Sequence, residues 1–222
     1  ADSEGAFAAE ARFRLGFVRF AQKRYDDAIK ELKAYLAANA TAPLAPRASL
    51  TLGQAYLEKK AYKEAEATLT PLATAAKPDV EAVTWLARTY SRQQRMADAA
   101  KVLERGVPHA AKTPQLPGML FDLGHAQLAL EQYAPAATAF TRITAEFAAW
   151  EQTAEAAYLA ALARHRGGDY AGSLTACTTF PGKHPTHTRL PDAAFMRAEN
   201  LLLLTRDAEA LKAYEGFLAA HA

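Results

Sequence analysis

The sequence has a single cysteine, Cys177, in 222 residues, so no intramolecular disulfide framework can hold it together. Glycine and proline number only 11 each, too few for a collagen-like or low-complexity chain. Neither sign of charge prevails: 26 Lys and Arg are interspersed with 24 Asp and Glu, for a net charge of +2. That balance points to neither nucleic acid nor an anionic membrane surface. No apolar run approaches the roughly 20 residues that span a bilayer; Leu201 to Leu204 is the longest candidate, and it lies in an amphipathic segment. A Gly-rich phosphate loop, an H-E-x-x-H helix and a G-x-S-x-G elbow are all missing, which speaks against an enzyme and against a cofactor. The chain opens at Ala1 with neither Met nor a basic-then-apolar leader, and is read as a processed form or as a piece of a longer protein.

What the sequence does have is alanine, which has the best helix propensity and lets helices approach closely, and a repeat. Residues 52–65 read LGQAYLEKKAYKEA, and the same order recurs along the chain. Aligning the residue before the small one gives Leu15, Leu52, Leu86, Leu123, Ala160 and Arg197, spaced by 37, 34, 37, 37 and 37 residues. Ten positions later stand Tyr25, Tyr62, Met96, Tyr133, Tyr170 and Asp207, and three beyond those Ala28, Ala65, Ala99, Ala136, Ser173 and Ala210. Larger residues follow at four and seven further positions, for example Leu32 and Tyr35, the i, i+4, i+7 spacing of an amphipathic helix face.

The spacing predicts twelve helices, over 4–22, 26–40, 46–59, 62–76, 79–93, 96–107, 115–131, 134–147, 152–166, 169–180, 188–205 and 207–221. Gly or Ala at 16, 53, 87, 124, 161 and 198 falls where paired helices come closest, with the Ala or Ser row of the second helix as its expected counterpart. Nearly every proline falls at a predicted boundary; Pro71 is the exception, and should kink its helix or end it early.

These residues resemble the tetratricopeptide repeat (TPR) family, whose unit is a pair of antiparallel helices. The resemblance implies an all-α fold, a right-handed superhelical solenoid of about six helix hairpins, with repeats at 4–40, 46–76, 79–110, 115–148, 152–182 and 188–221 in one array over 1–222. Proline-containing joints such as FPGKHP are similar to repeats of bacterial cell-envelope proteins, which implies a periplasmic or envelope setting without excluding the cytoplasm. By the same resemblance the chain is a scaffold that binds a protein or peptide in a concave groove lined by first helices. Its rivals are a structural spacer or self-assembly element, and a regulatory arm of a larger protein.

Carried over position by position, the groove is Phe13, Phe17, Phe20, Gln54, Leu57, Arg88, Arg92, Phe121, His125, Tyr158, His165, Phe195 and Glu199. The aromatic members either anchor a partner or pack between neighbouring first helices; the sequence leaves both open. Some members of the family clamp a carboxylate with basic residues on the first and fifth helices. Here Phe13 and Phe17 occupy the first-helix half, while Arg88, Arg92 and Arg95 form a basic stripe for an acidic peptide or a solvated face. His184 and His187 are poor metal ligands without a third, and His125 and His165 are candidates to face each other. Ser173 and Cys177 read as packing residues. The last helix carries Leu211, Tyr214, Phe217 and Leu218 on one face, an end-face contact for a further repeat or another copy.

Overall fold

A computed structural model describes residues 3–221. Among them are twelve α-helices: α1 Ser3–Ala21, α2 Tyr25–Ala38, α3 Ala45–Glu58, α4 Tyr62–Ala73, α5 Val80–Arg92, α6 Met96–Gly106, α7 Leu116–Ala129, α8 Tyr133–Glu146, α9 Thr153–Arg166, α10 Tyr170–Lys183, α11 Leu190–Leu203 and α12 Asp207–His221. A one-turn 3-10 helix, Val107–Ala110, follows α6. The helices form two compact units, one ending at Gln115 and one beginning at Leu116. In each unit consecutive helices pack as pairs, and the pairs pack on one another.

Each hairpin turns in the same way. Lys23, Lys60, Gln94, Glu131, Gly168 and Thr205 all have φ between +57° and +81°, the left-handed conformation that ends a helix. The amide after each reaches back five residues: Ala61 N–H donates to the Tyr56 carbonyl at 2.9 Å, and Asp169 to Arg164 at 2.9 Å. One residue later the second helix begins, on Tyr25, Tyr62, Met96, Tyr133, Tyr170 and Asp207. Its first turn is closed by the small residue of the motif, as in Ala65 N–H to the Ala61 carbonyl at 3.0 Å. Asp79 and Asp169 cap α5 and α10 by accepting from the Ala82 and Gly172 amides, both at 2.9 Å.

Prolines behave as helix chemistry requires, with one departure. Pro71 lies in the last turn of α4, and the helix stops at Ala73 rather than at 76. Pro181 was expected as a boundary, yet α10 runs through it to Lys183. A proline so near the end removes only one bond of the last turn, and His184 N–H still reaches the Phe180 carbonyl at 2.9 Å.

The first-helix glycines differ from expectation in their partners. A Cβ built on Gly53 would lie 2.5 Å from Leu69 Cγ, one on Gly16 2.7 Å from Leu32 Cγ, and one on Gly124 2.6 Å from Phe140 Cζ. The glycine makes room for the large residue four positions beyond the Ala row, not for the Ala row itself. Burying such a leucine stabilises by about 1.5–3 kcal/mol, and Leu32, Leu69 and Phe140 are fully buried. The core of the first repeat joins Ala28, Leu32 and Tyr35 of α2 to Ala48 and Leu52 of α3, with Phe13, Phe20, Ile29, Leu36 and Tyr56 around them.

Candidate functional site

In the first unit the three α1 aromatics divide. Phe13 packs on Tyr35 with ring centroids 5.7 Å apart, and Phe20 on Tyr25 at 5.8 Å; both are partly buried against the core. Phe17 remains 42% exposed. Gln54 and Leu57 are buried, and Gln54 donates to Glu81 at 3.3 Å, where Arg47 also binds at 2.9 Å. The basic stripe is shorter than the sequence suggests. Arg95 pairs with Glu66 and Asp98, each at 2.7 Å, and lies over the Tyr90 ring, so hydrogen bonds to the two carboxylates raise its pKa and neutralise its charge. Arg88 stacks over Trp85 at 5.3 Å, and Arg92 is exposed.

In the second unit the predicted residues converge more closely. Phe121 meets His125 at 4.6 Å, Trp150 at 5.4 Å and Phe140 at 5.8 Å. Burial in this aromatic nest pushes His125 below its ordinary pKa, against an opposing pull from Asp122 and Glu155. Between α9 and α11 opens a cavity of about 450 Å³ that brings together Tyr158, His165, Phe195 and Glu199 with Leu162, Arg166 and Asp192. Tyr158 is its buried floor, covered by the Arg189 guanidinium at 5.0 Å, which also binds Glu155 and Asp192. Phe195 is 43% exposed and is held edge-on by Phe217 at 5.6 Å and Tyr214 at 5.9 Å.

His165 does not turn towards His125. Its Nδ1 lies 2.8 Å from Asn200 Oδ1 on α11, and its Nε2 lies 3.8 Å from Glu199. Asn200 is fully buried and donates through Nδ2 to Ser173 Oγ at 2.8 Å, and Ser173 donates to the Ala161 carbonyl at 2.9 Å. Asn200 Oδ1, an amide oxygen, only accepts, so the hydrogen in its contact with His165 comes from Nδ1. Nδ1 of His165 therefore donates to Asn200, and Nε2 faces Glu199 and the cavity.

The helix-pair geometry, repeated at a 34- to 37-residue period, has a counterpart in known sequences. A tetratricopeptide repeat family model matches residues 1–43, 13–79 and 121–187, which together cover most of the chain. The chain belongs to the tetratricopeptide repeat family. Solved TPR structures share its fold at low identity. A TPR protein from Parabacteroides merdae matches with a TM-score of 0.66 at 15% identity, over 95% of this chain and 79% of that one. MamA matches with a TM-score of 0.66 at 17% identity, over 80% and 92%. A Podosopora anserina chain of nearly identical TPR-like repeats gives 0.59 at 18%, over 81% and 96%. No curated protein sequence matches. TPR arrays generally serve as protein-interaction scaffolds.

Within the TPR frame the Ser173–Asn200 pair is what the sequence reading missed. Ser173 is a hydrogen-bond hub, not only a packing residue. The signal was present: it replaces Ala in a row that is otherwise all Ala, and Asn200 stands where other repeats have Val18, Ala55, Thr89, Ala126 and Ala163. Two polar residues in adjacent TPR units, each at a buried position, must find one another. Elsewhere in the second TPR unit, His184 and His187 face the Phe180 ring at 5.0 and 5.6 Å. Among the described residues no group of three or more His, Cys, Asp or Glu could hold a metal ion, and no helix is long and apolar enough to cross a membrane. Cavities of about 510 and 570 Å³ open beside α8 and α10. Ala and Thr line both, together with Arg142, Arg164 and Asp169 in the first and Arg164, Lys183 and His184 in the second, and Thr138, Thr144, Thr175 and Thr179 donate their hydroxyls to carbonyls of their own helices.

Proposed function

We propose that the chain is a non-catalytic TPR interaction module, and that the α9–α11 cavity receives a segment of a protein partner. The observation that carries this reading is the convergence of an exposed aromatic, Phe195, with Glu199 and the Nε2 of His165 at one open cavity. An exposed ring offers a partner area to bury at little entropic cost, and the adjacent polar atoms select what is placed beside it. The Glu199 carboxylate accepts hydrogen bonds, so the cavity favours a donor from the partner. In the first unit Phe17 on α1 and Arg88 and Arg92 on α5 are further exposed candidates.

Affinity capture of partners with the chain tests the reading. Phe195→Ala and Glu199→Lys should each reduce recovery of the partner, while Thr178→Ala, on the exposed side of α10, leaves it intact. Phe17→Ala and Arg88→Glu report on the first unit in the same assay. Unchanged recovery with all four folded site variants would overturn the proposal.

A further inference from the structure

The space between α8 and α10 is open, whereas its equivalent in the first unit is bridged. There Glu66 on α4 accepts from the Tyr90 hydroxyl of α5 at 3.3 Å and from Arg95, at the start of α6, at 2.7 Å. Counted from the small residue of each helix, the positions of Glu66, Tyr90 and Arg95 fall on Ala137 of α8, Arg164 of α9 and Asp169 at the start of α10. All three line the cavity of about 510 Å³. A methyl group stands where the bridging carboxylate would be, and a guanidinium where the phenol would be.

What Arg164 finds in place of that carboxylate is weak. Its Nη2 donates to Thr141 Oγ1 at 3.2 Å, and its Nε lies 3.8 Å from Asp169, which already caps α10. The cavity of about 570 Å³ shares Thr141, Ala145 and Arg164 with the first, so the two form one groove. It adds Lys183 and has no carboxylate in its lining. Lys183 makes no ion pair among the described residues. Between them α8 and α10 hold a single carboxylate, Glu146, which Arg142 takes at 2.7 Å; every other second helix holds two or three. Arg164 and Lys183 thus border one groove whose walls give neither a carboxylate at hydrogen-bond distance.

From this we infer that the α8–α10 groove binds an acidic segment of a protein partner, with one carboxylate on Arg164 and a second on Lys183. The occupant follows from charge complementarity to those two cations and from the carboxylate that the chain itself places at the equivalent position, Glu66. Ala145, Ala148 and Ala176 project only methyl groups into the groove, so a polypeptide backbone can come close. The 14 residues of α10 run about 20 Å, the reach of about six extended residues. The groove lies on the second helices and shares no lining residue with the α9–α11 cavity, so it stands or falls independently of the reading given above.

Fluorescence anisotropy with a labelled peptide of alternating Glu and Ala, against a counterpart with Gln in place of every Glu, tests the inference. The Glu peptide should bind the chain about tenfold more tightly or better. Arg164→Gln should weaken it about tenfold and the more exposed Lys183→Gln about fivefold. Ala137→Glu, which restores the bridging carboxylate, should abolish binding without lowering the melting temperature. If that variant does melt earlier, Thr141→Glu closes the groove in its place, since Thr141 already touches the guanidinium. Equal binding of the Glu and Gln peptides overturns the inference, as does a folded carboxylate variant that binds like the unmodified chain. So does an equal loss with Lys212→Gln, an exposed residue of α12 outside the groove, the mark of diffuse attraction to charge.

Discussion

Gly53 on α3 and Leu69 on α4 lie so close that a methyl group on the glycine would sit 2.5 Å from two carbons of the leucine side chain. Leu69 is fully buried, so the intruded atoms have nowhere to go. Alanine at position 53 gains about 0.5–1 kcal/mol in helix propensity but forces an overlap that costs about 1–3 kcal/mol. Gly53→Ala should therefore destabilise the first unit by about 1 kcal/mol in urea denaturation. Leu69→Val in the same chain should recover part of that loss, because it removes a methylene at the point of overlap.

The left-handed turn residues give a second prediction with opposite signs at two equivalent positions. Lys60 holds φ +59° with a side chain, while Gly168 holds φ +81° without one. A non-glycine residue there costs about 1–2 kcal/mol. Lys60→Gly should raise stability by about 0.5–1 kcal/mol, and Gly168→Ala should lower it by about 1 kcal/mol. Thermal melts of the two variants check this, and equal signs would show that the turns are not energetically alike.

The buried hydrogen-bond chain predicts strong non-additivity. Ser173→Ala restores the residue that the other five repeats carry, yet it strips a partner from Asn200 and should cost about 1–3 kcal/mol. In an Asn200→Leu background the same substitution should cost much less, since no buried amide is left to satisfy. A double-mutant cycle by urea denaturation measures the difference.

His125 links stability to pH. Burial against Phe121 and Phe140 favours its neutral form and holds its pKa below the ordinary 6.5. Between those two values the unfolded chain binds more protons than the fold, so stability falls as pH drops through 6.5 and levels off below the folded value. His184, also lowered by burial and then by His187 and Lys183, acts in the same direction. His125→Phe should therefore remove part of the stability loss between about pH 7 and pH 5, and leave the part due to His184. An unaltered pH dependence would mean that the ring is solvated in solution.

The helix pairs were legible because the repeat imposes the same demand at fixed intervals. Tyr25, Tyr62 and Tyr133 sit two residues past a left-handed residue, and the turn requires a fresh helix start there whatever the flanking sequence. The groove ladder was legible only as a set of positions. Leu57 and Tyr158 are buried, whereas Phe17 and Phe195 are exposed, because the same face of a first helix serves partly as a seam between repeats and partly as open surface. Arg88, Arg92 and Arg95 read alike in sequence at helical spacing. Glu66 on α4, 29 residues before Arg95, takes that arginine out of the stripe, and no local pattern reports such a pairing.

The repeat, its helices, their turns and the family follow from sequence alone, since each depends on spacing within one unit of 34 to 37 residues. Tertiary structure alone decided which large residue each glycine admits, that Asn200 takes its hydrogen bond from Nδ1 of His165, and that Phe195 is exposed while Tyr158 is buried. Those outcomes depend on side chains brought together from different helices, and exposure is a property of what packs against a residue rather than of the residue itself.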